Sequence, residues 1–194
     1  MIRHSRRRAL TWLSAATLIG LAGCAGPALI QGDGEAFQRT GRFAVNVTEA
    51  GVPPDAVQGG FSWRDTGRHL QLDLVNPLGS TLARISVDAS GATLQRADGS
   101  TEHAPDADAL VARVLHVALP VSSLRDWMQG RPGPGATEGV QRDDAGRLLS
   151  FSQDGWSVRL SRHDSHGPGL LRLERRDGAR QISARLAVDT QGQQ

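Results

Sequence analysis

Apolar and polar residues alternate with a period of two through most of this chain. Phe43, Val45 and Val47 alternate with Ala44 and Asn46, and Phe61 and Trp63 with Ser62 and Arg64. Leu70, Leu72 and Leu74 alternate with Gln71 and Asp73, and Ala83, Ile85 and Val87 with Arg84, Ser86 and Asp88. The pattern resumes at Leu149 and Phe151, at Trp156, Val158 and Leu160, at Leu171 and Leu173, and from Ile182 through Ala184 and Leu186 to Val188. A period of two sends successive side chains to opposite faces of a strand. Asp65-Thr66-Gly67, Ser90-Gly91, Asp98-Gly99, Asp154-Gly155 and Asp177-Gly178 are turn signals, so an antiparallel meander is predicted. Each strand has one apolar face, which must be covered by curling the sheet into a barrel or by packing helices on it.

Helical periodicity is confined to the middle of the chain. Asp106 is placed to cap a segment over 107–117, with Leu110, Val114 and Val117 on one stripe and Pro120 as its stop. Ser122 or Ser123 is placed to cap a shorter helix carrying Leu124, Trp127 and Met128, ended by Gly130 and Pro132. Two short helices inserted in an antiparallel sheet are expected to lie across its concave face as a plug or lid.

The N-terminus carries an address. Arg3, Arg6, Arg7 and Arg8 precede an apolar segment from Ala9 to about Gly20, then Leu21-Ala22-Gly23-Cys24. A basic start, a short apolar stretch and small residues at its end describe a secretory signal, too short to span a membrane comfortably. The last four residues resemble the bacterial lipobox, whose cysteine becomes the acylated first residue of the mature protein. Cys24 is the chain's only cysteine, so an internal disulfide is excluded. The domain reading is a lipoprotein signal peptide over 1–23, a lipid-anchored tether over 24–37 and one folded domain over 38–190. The tether is small and Gly-rich and reaches roughly 45 Å at most. Ala25 stands where an Asp would resemble an inner-membrane retention signal, which points to the outer membrane, with the domain facing the periplasm.

Charge then changes sign. The chain has 22 Lys+Arg, every one an arginine, against 20 Asp+Glu; removing four arginines with the signal leaves 18 against 20. No basic patch argues for nucleic acid.

One turn carries an unusual residue. Asn76-Pro77-Leu78-Gly79-Ser80-Thr81 separates two alternating segments and is built from turn formers, yet Leu78 sits in its middle. Either Leu78 dips into a bilayer or an acyl chain, or it folds back on its own domain.

Together these motifs resemble the LolB family of outer-membrane lipoproteins. The residues that carry the resemblance are the lipobox at Leu21–Cys24, Gly41-Arg42-Phe43, Gly60-Phe61-Ser62-Trp63 and Asn76-Pro77-Leu78-Gly79-Ser80-Thr81. They continue with Leu119-Pro120-Val121, Leu124, Trp127, Gly130 and Gly155-Trp156. The resemblance implies a mainly β fold with short helices: a single incomplete, unclosed antiparallel β-barrel with a helical plug or lid and an apolar cavity for acyl chains. It implies acceptance of acylated lipoprotein clients from a LolA-type periplasmic carrier and their insertion into outer-membrane phospholipid. It also makes Asn76, Pro77, Leu78 and Gly79 the membrane-insertion loop, with Leu78 protruding. The family often ends its last strand with a Trp, where Val188-Asp189 stands here.

A receptor for acyl chains needs a dry cavity and no reactive group, because each methylene exposed to water costs about 0.8 kcal/mol. Phe43, Phe61, Trp63, Leu72, Leu74, Ile85, Trp127 and Trp156 are the candidate lining residues. No catalytic residue, metal ligand or cofactor is expected, and a monomer suffices. With no lysine there is no Walker-type loop, so transfer must run downhill. His163-Asp164-Ser165-His166 holds polar groups used in triads and metal sites, but neighbours on one loop cannot all converge on a point. The alternative function is an anchored scaffold for envelope assembly, which predicts a well-packed barrel with no ligand-sized cavity and a partner-binding surface instead.

Overall fold

The computed structural model describes residues 36–115 and 118–190. The anchor Cys24, the signal peptide and nearly all of the expected tether lie outside the described residues. The first meander comprises β1 (Phe37–Glu49), β2 (Val52–Asp65), β3 (Leu70–Val75), β4 (Thr81–Asp88), β5 (Gly91–Arg96) and β6 (Thr101–Ala104). The helices α1 (Ala107–Leu115) and α2 (Val121–Met128) follow. The second meander comprises β7 (Thr137–Arg142), β8 (Leu148–Gln153), β9 (Trp156–Asp164), β10 (Gly167–Asp177) and β11 (Arg180–Val188).

All eleven strands pair antiparallel in one sheet, ordered β6-β5-β4-β3-β2-β1-β11-β10-β9-β8-β7. The two meanders join where the first strand meets the last, from Gly41 opposite Val188 to Glu49 opposite Arg180. β6 and β7 remain the edges, so the sheet is unclosed, and the helices form the connection between them. Alternation decides which face is buried. Trp63, Leu72, Ile85 and Leu94 stand opposite one another across β2 to β5 and are all buried. Gly41 permits the close pairing of β1: a Cβ there would collide with the Ala187 carbonyl oxygen.

The described structure corrects several expectations. β5, β6 and β7 were not foreseen. β5 contributes just Ala92 and Leu94 to the core, and β7 is almost wholly exposed, so pairing with neighbours creates them more than their own pattern does. In β8 it is Leu148 that is buried, while Leu149 is 36% exposed. β1 begins at Phe37, inside the expected tether. α1 starts as predicted, with the Ala109 N–H donating to the Asp106 carboxylate at 2.7 Å. α2 does not: it begins after Pro120, which has no capping side chain. The Ser122 N–H and hydroxyl instead donate to Asp108 of α1 at 2.9 and 2.6 Å, which ties the helices together. α1 packs on β5 and β6, α2 on β10.

Candidate functional site

Between the helices and the sheet lies a pocket of about 90 Å³. Its floor is Phe43, Val45, Phe61, Trp63, Leu72, Leu74 and Ile85 of β1–β4, with Leu173, Ala184 and Leu186 of β10 and β11. Its roof is Val111 of α1, Leu119, and Val121 and Leu124 of α2. Every lining side chain is apolar or aromatic, and none titrates. The Trp63 indole N–H is buried without a hydrogen-bond partner among the described residues.

Six of the eight candidate cavity residues therefore meet at one pocket: Phe43, Phe61, Trp63, Leu72, Leu74 and Ile85. Trp127 and Trp156 do not line it. Trp127 is fully buried, edge-on to Phe151 at a centroid distance of 5.9 Å, and its indole N–H donates to Gln153 at 3.0 Å. The Gln153 amide is held in turn by the Gly133 N–H at 2.9 Å and donates to the Gly133 carbonyl at 2.8 Å. Trp156 is buried at the far end of β9, beside Arg175 and away from the apolar pocket. Indole size suits either a lining or a packed plug, and the strand's place in the sheet decides which.

The loop between β3 and β4 is closed by its own backbone. The Asn76 side-chain oxygen accepts from the N–H groups of Leu78 and Ser80 at 2.9 and 3.0 Å, and the Gly79 N–H donates to the Asn76 carbonyl at 2.9 Å. Pro77 supplies a preset φ at the turn's second position, and Gly79 takes φ +87°, a conformation that disfavours a side chain. With the turn so fixed, Leu78 points outward and is 91% exposed. It is not folded back on the domain.

Sequence reasoning missed one buried ion pair. Arg39 of β1 is 1% exposed and binds Asp164 with both terminal nitrogens, at 3.1 and 3.2 Å. The Arg39 hydrogen bonds hold the Asp164 carboxyl below its ordinary pKa; burial opposes them, and the His166 N–H assists. The signal was available, because Phe37, Arg39, Gly41 and Phe43 share the inward phase of β1. The pair also settles the geometry of the His163–His166 segment. His163 and Asp164 end β9, the turn follows, and Asp164 is committed to Arg39. Among the described residues no cluster of His, Cys, Asp and Glu is arranged to hold a metal.

An unclosed antiparallel sheet, roofed by two helices over an apolar pocket and carrying one bare leucine at a hairpin tip, defines a half-open barrel with a helical lid. The model of the family described as outer membrane lipoprotein LolB matches residues 35–190. The outer-membrane lipoprotein LolB of Bordetella petrii is 53% identical over 180 residues, covering 91% of this chain and 90% of that protein. The protein of the same name from Bordetella pertussis is 47% identical over 189 residues, covering 94% and 95%. That from Cupriavidus pinatubonensis is 40% identical over 202 residues, covering 97% and 96%. A solved LolA superfamily protein from Nitrosomonas europaea superposes with a TM-score of 0.44 at 7% identity, covering 81% and 87%. The chain belongs to the LolB family of outer-membrane lipoproteins.

Proposed function

We propose that this outer-membrane lipoprotein takes acylated lipoproteins from a LolA-type carrier, shelters their acyl chains in the pocket under α1 and α2, and releases them into the bilayer through the Leu78 loop. Family membership supports receipt and insertion of lipoproteins. The observation that carries the residue-level reading is the wholly apolar lining of a pocket at the helix–sheet interface. Cys24 is the proposed anchor, leaving the mature chain from position 24 onward.

At about 90 Å³ the pocket is below the roughly 300–1,000 Å³ typical of ligand sites, so loading requires the helices to lift from the sheet. The bonds between Asp108 and Ser122 make α1 and α2 move together. Arg125 of α2 and Asp65 at the end of β2, 2.8 Å apart, hold the closed position. Nothing in this cycle makes or breaks a covalent bond: chains pass downhill from carrier to pocket to bilayer. Leu78 lowers the last barrier, since burying a leucine contributes roughly 1.5–3 kcal/mol.

The test is transfer of a radiolabelled lipoprotein from its carrier to liposomes bearing the anchored protein. Leu78→Glu should still accept cargo but insert it slowly. Equal insertion by the variant and the parent would refute the loop's role, and failure of the parent to accept cargo would refute the whole reading. A scaffold lipoprotein is the alternative, and the family relationship does not favour it.

A further inference from the structure

Strand register sets three arginines side by side on the outer face of the sheet. Arg172 of β10 stands directly opposite Arg159 of β9 and Arg185 of β11. All three are exposed, while Leu171 and Leu173 beside Arg172 are buried on the other face. With strands about 4.8 Å apart, the row is roughly 10 Å long.

Like charges directly opposite one another destabilise a sheet. The first meander shows how this is usually relieved: Arg84 stands opposite Asp73 and binds it, and Arg64 adds a second contact at 3.5 Å. In the arginine row, among the described residues, the one acid within ion-pair reach is Glu174, 3.7 Å from Arg159 and itself exposed. Arg172 and Arg185 make no ion pair there. Three neighbouring cations, with a single exposed acid 3.7 Å from one of them, call for an anionic counterpart outside the domain.

We propose that this row is a second contact with the membrane, in which the guanidinium groups bind the phosphates of anionic lipids. The planar fork of arginine matches phosphate geometry. On this face the row is flanked by Ser157 and Ser161 of β9, the buried Leu170 and the exposed Glu174 of β10, and Ser183 and Ala187 of β11. None of these is one of the aromatic or methionine anchors that centre a protein interface. Register also joins the row to the Leu78 loop. Arg185 stands opposite Ala44, and Ala44 opposite Gln58. Two residues on, Gly60 faces Val75 at the foot of that loop. The band of arginines and the exposed leucine thus share one continuous outer surface. The proposal rests on outer-membrane attachment and not on cargo transfer, so transfer assays and the following assay fail independently.

The full anchored chain carrying Ser183→Cys, labelled with a fluorophore, is reconstituted in phosphatidylcholine vesicles with or without phosphatidylglycerol. A headgroup-attached quencher reports whether the face meets the bilayer. Quenching should rise in the anionic vesicles and vanish near 1 M salt, where the Debye length falls to about 3 Å. The triple variant R159Q/R172Q/R185Q should weaken the face-down orientation by on the order of fivefold per arginine, and the triple lysine variant should largely preserve it. Because it removes repulsion, the glutamine variant should melt no lower than the parent, which controls for folding. Equal quenching in both vesicle types, or an unaffected glutamine variant, overturns the proposal. So does release by millimolar inorganic phosphate at constant ionic strength, which assigns an isolated anion site. A face that avoids headgroups and is shielded when an acidic carrier protein is added assigns a protein dock instead, and overturns it too.

Discussion

The two meanders are built from the same alternating strands, yet the first borders the pocket along four strands while the second reaches it only through Leu173, Ala184 and Leu186 and is otherwise close-packed. Strands β1–β4 give the pocket most of its floor, and two of those side chains, Phe43 and Leu74, are only partly buried. In β8–β10, Leu148, Phe151, Val158 and Leu171 are at most 2% exposed, and Phe151 meets Trp127 edge-on. The difference lies in what the helices offer each half. α2 presents Trp127 and Met128, both fully buried, on the side where it packs on β10. Toward β1–β4 the roof is made of Val111, Leu119, Val121 and Leu124, whose smaller side chains leave space. One half is packed throughout, and the other borders open space. Packing density, and not hydrophobicity, separates them.

The sharpest way to break this comparison is to empty the solid half. Trp127→Ala should cost about 3–5 kcal/mol in urea unfolding, because it opens a large cavity and strips the Gln153 amide of one donor. A cost below about 1 kcal/mol would mean that this half is not close-packed. Next comes the buried pair at its edge. Asp164→Asn leaves Arg39 uncompensated in a buried site and should cost about 3 kcal/mol near pH 7. The Asp164 pKa is depressed in the folded state, so its contribution is present above the unfolded value near 3.9 and is lost as pH falls through the lower folded value. Urea midpoints of parent and variant should therefore converge below about pH 4; a gap unchanged there would contradict the ion-pair account.

Smaller effects belong to the hollow half. Leu74→Ala removes a partly buried side chain that already borders empty space, and should cost about 1 kcal/mol, against about 3 kcal/mol or more for Leu171→Ala. Equal costs for the two would abolish the distinction. Leu78→Glu lies outside both halves. Its stability should change by less than about 0.5 kcal/mol, while insertion of cargo into liposomes falls by roughly tenfold or more.

Particular residues show how far the chain could be read in advance. The alternation of Leu70, Leu72 and Leu74 placed their strand and its inward face, and Asp106 marked the start of α1. β7 escaped because its residues carry no apolar alternation; it is a strand by virtue of pairing with β8. Ser122 looked like a helix cap, but its hydroxyl found Asp108 in the neighbouring helix, a contact absent from any local window. Of the aromatic residues, Phe43, Phe61 and Trp63 reached the pocket, whereas Trp127 and Trp156 were spent on packing.

The amino-acid order by itself determined eight of the eleven strands, their inward faces and the turn that carries Leu78, because each depends on neighbours within a few positions, whereas β5, β6 and β7 depend on the strands they pair with. The pocket's location, the pairing of Arg39 with Asp164 125 positions away, and the alignment of Arg159, Arg172 and Arg185 were decided by strand register and helix placement. Such contacts join distant segments, and their energies exist only once the sheet has brought those segments together.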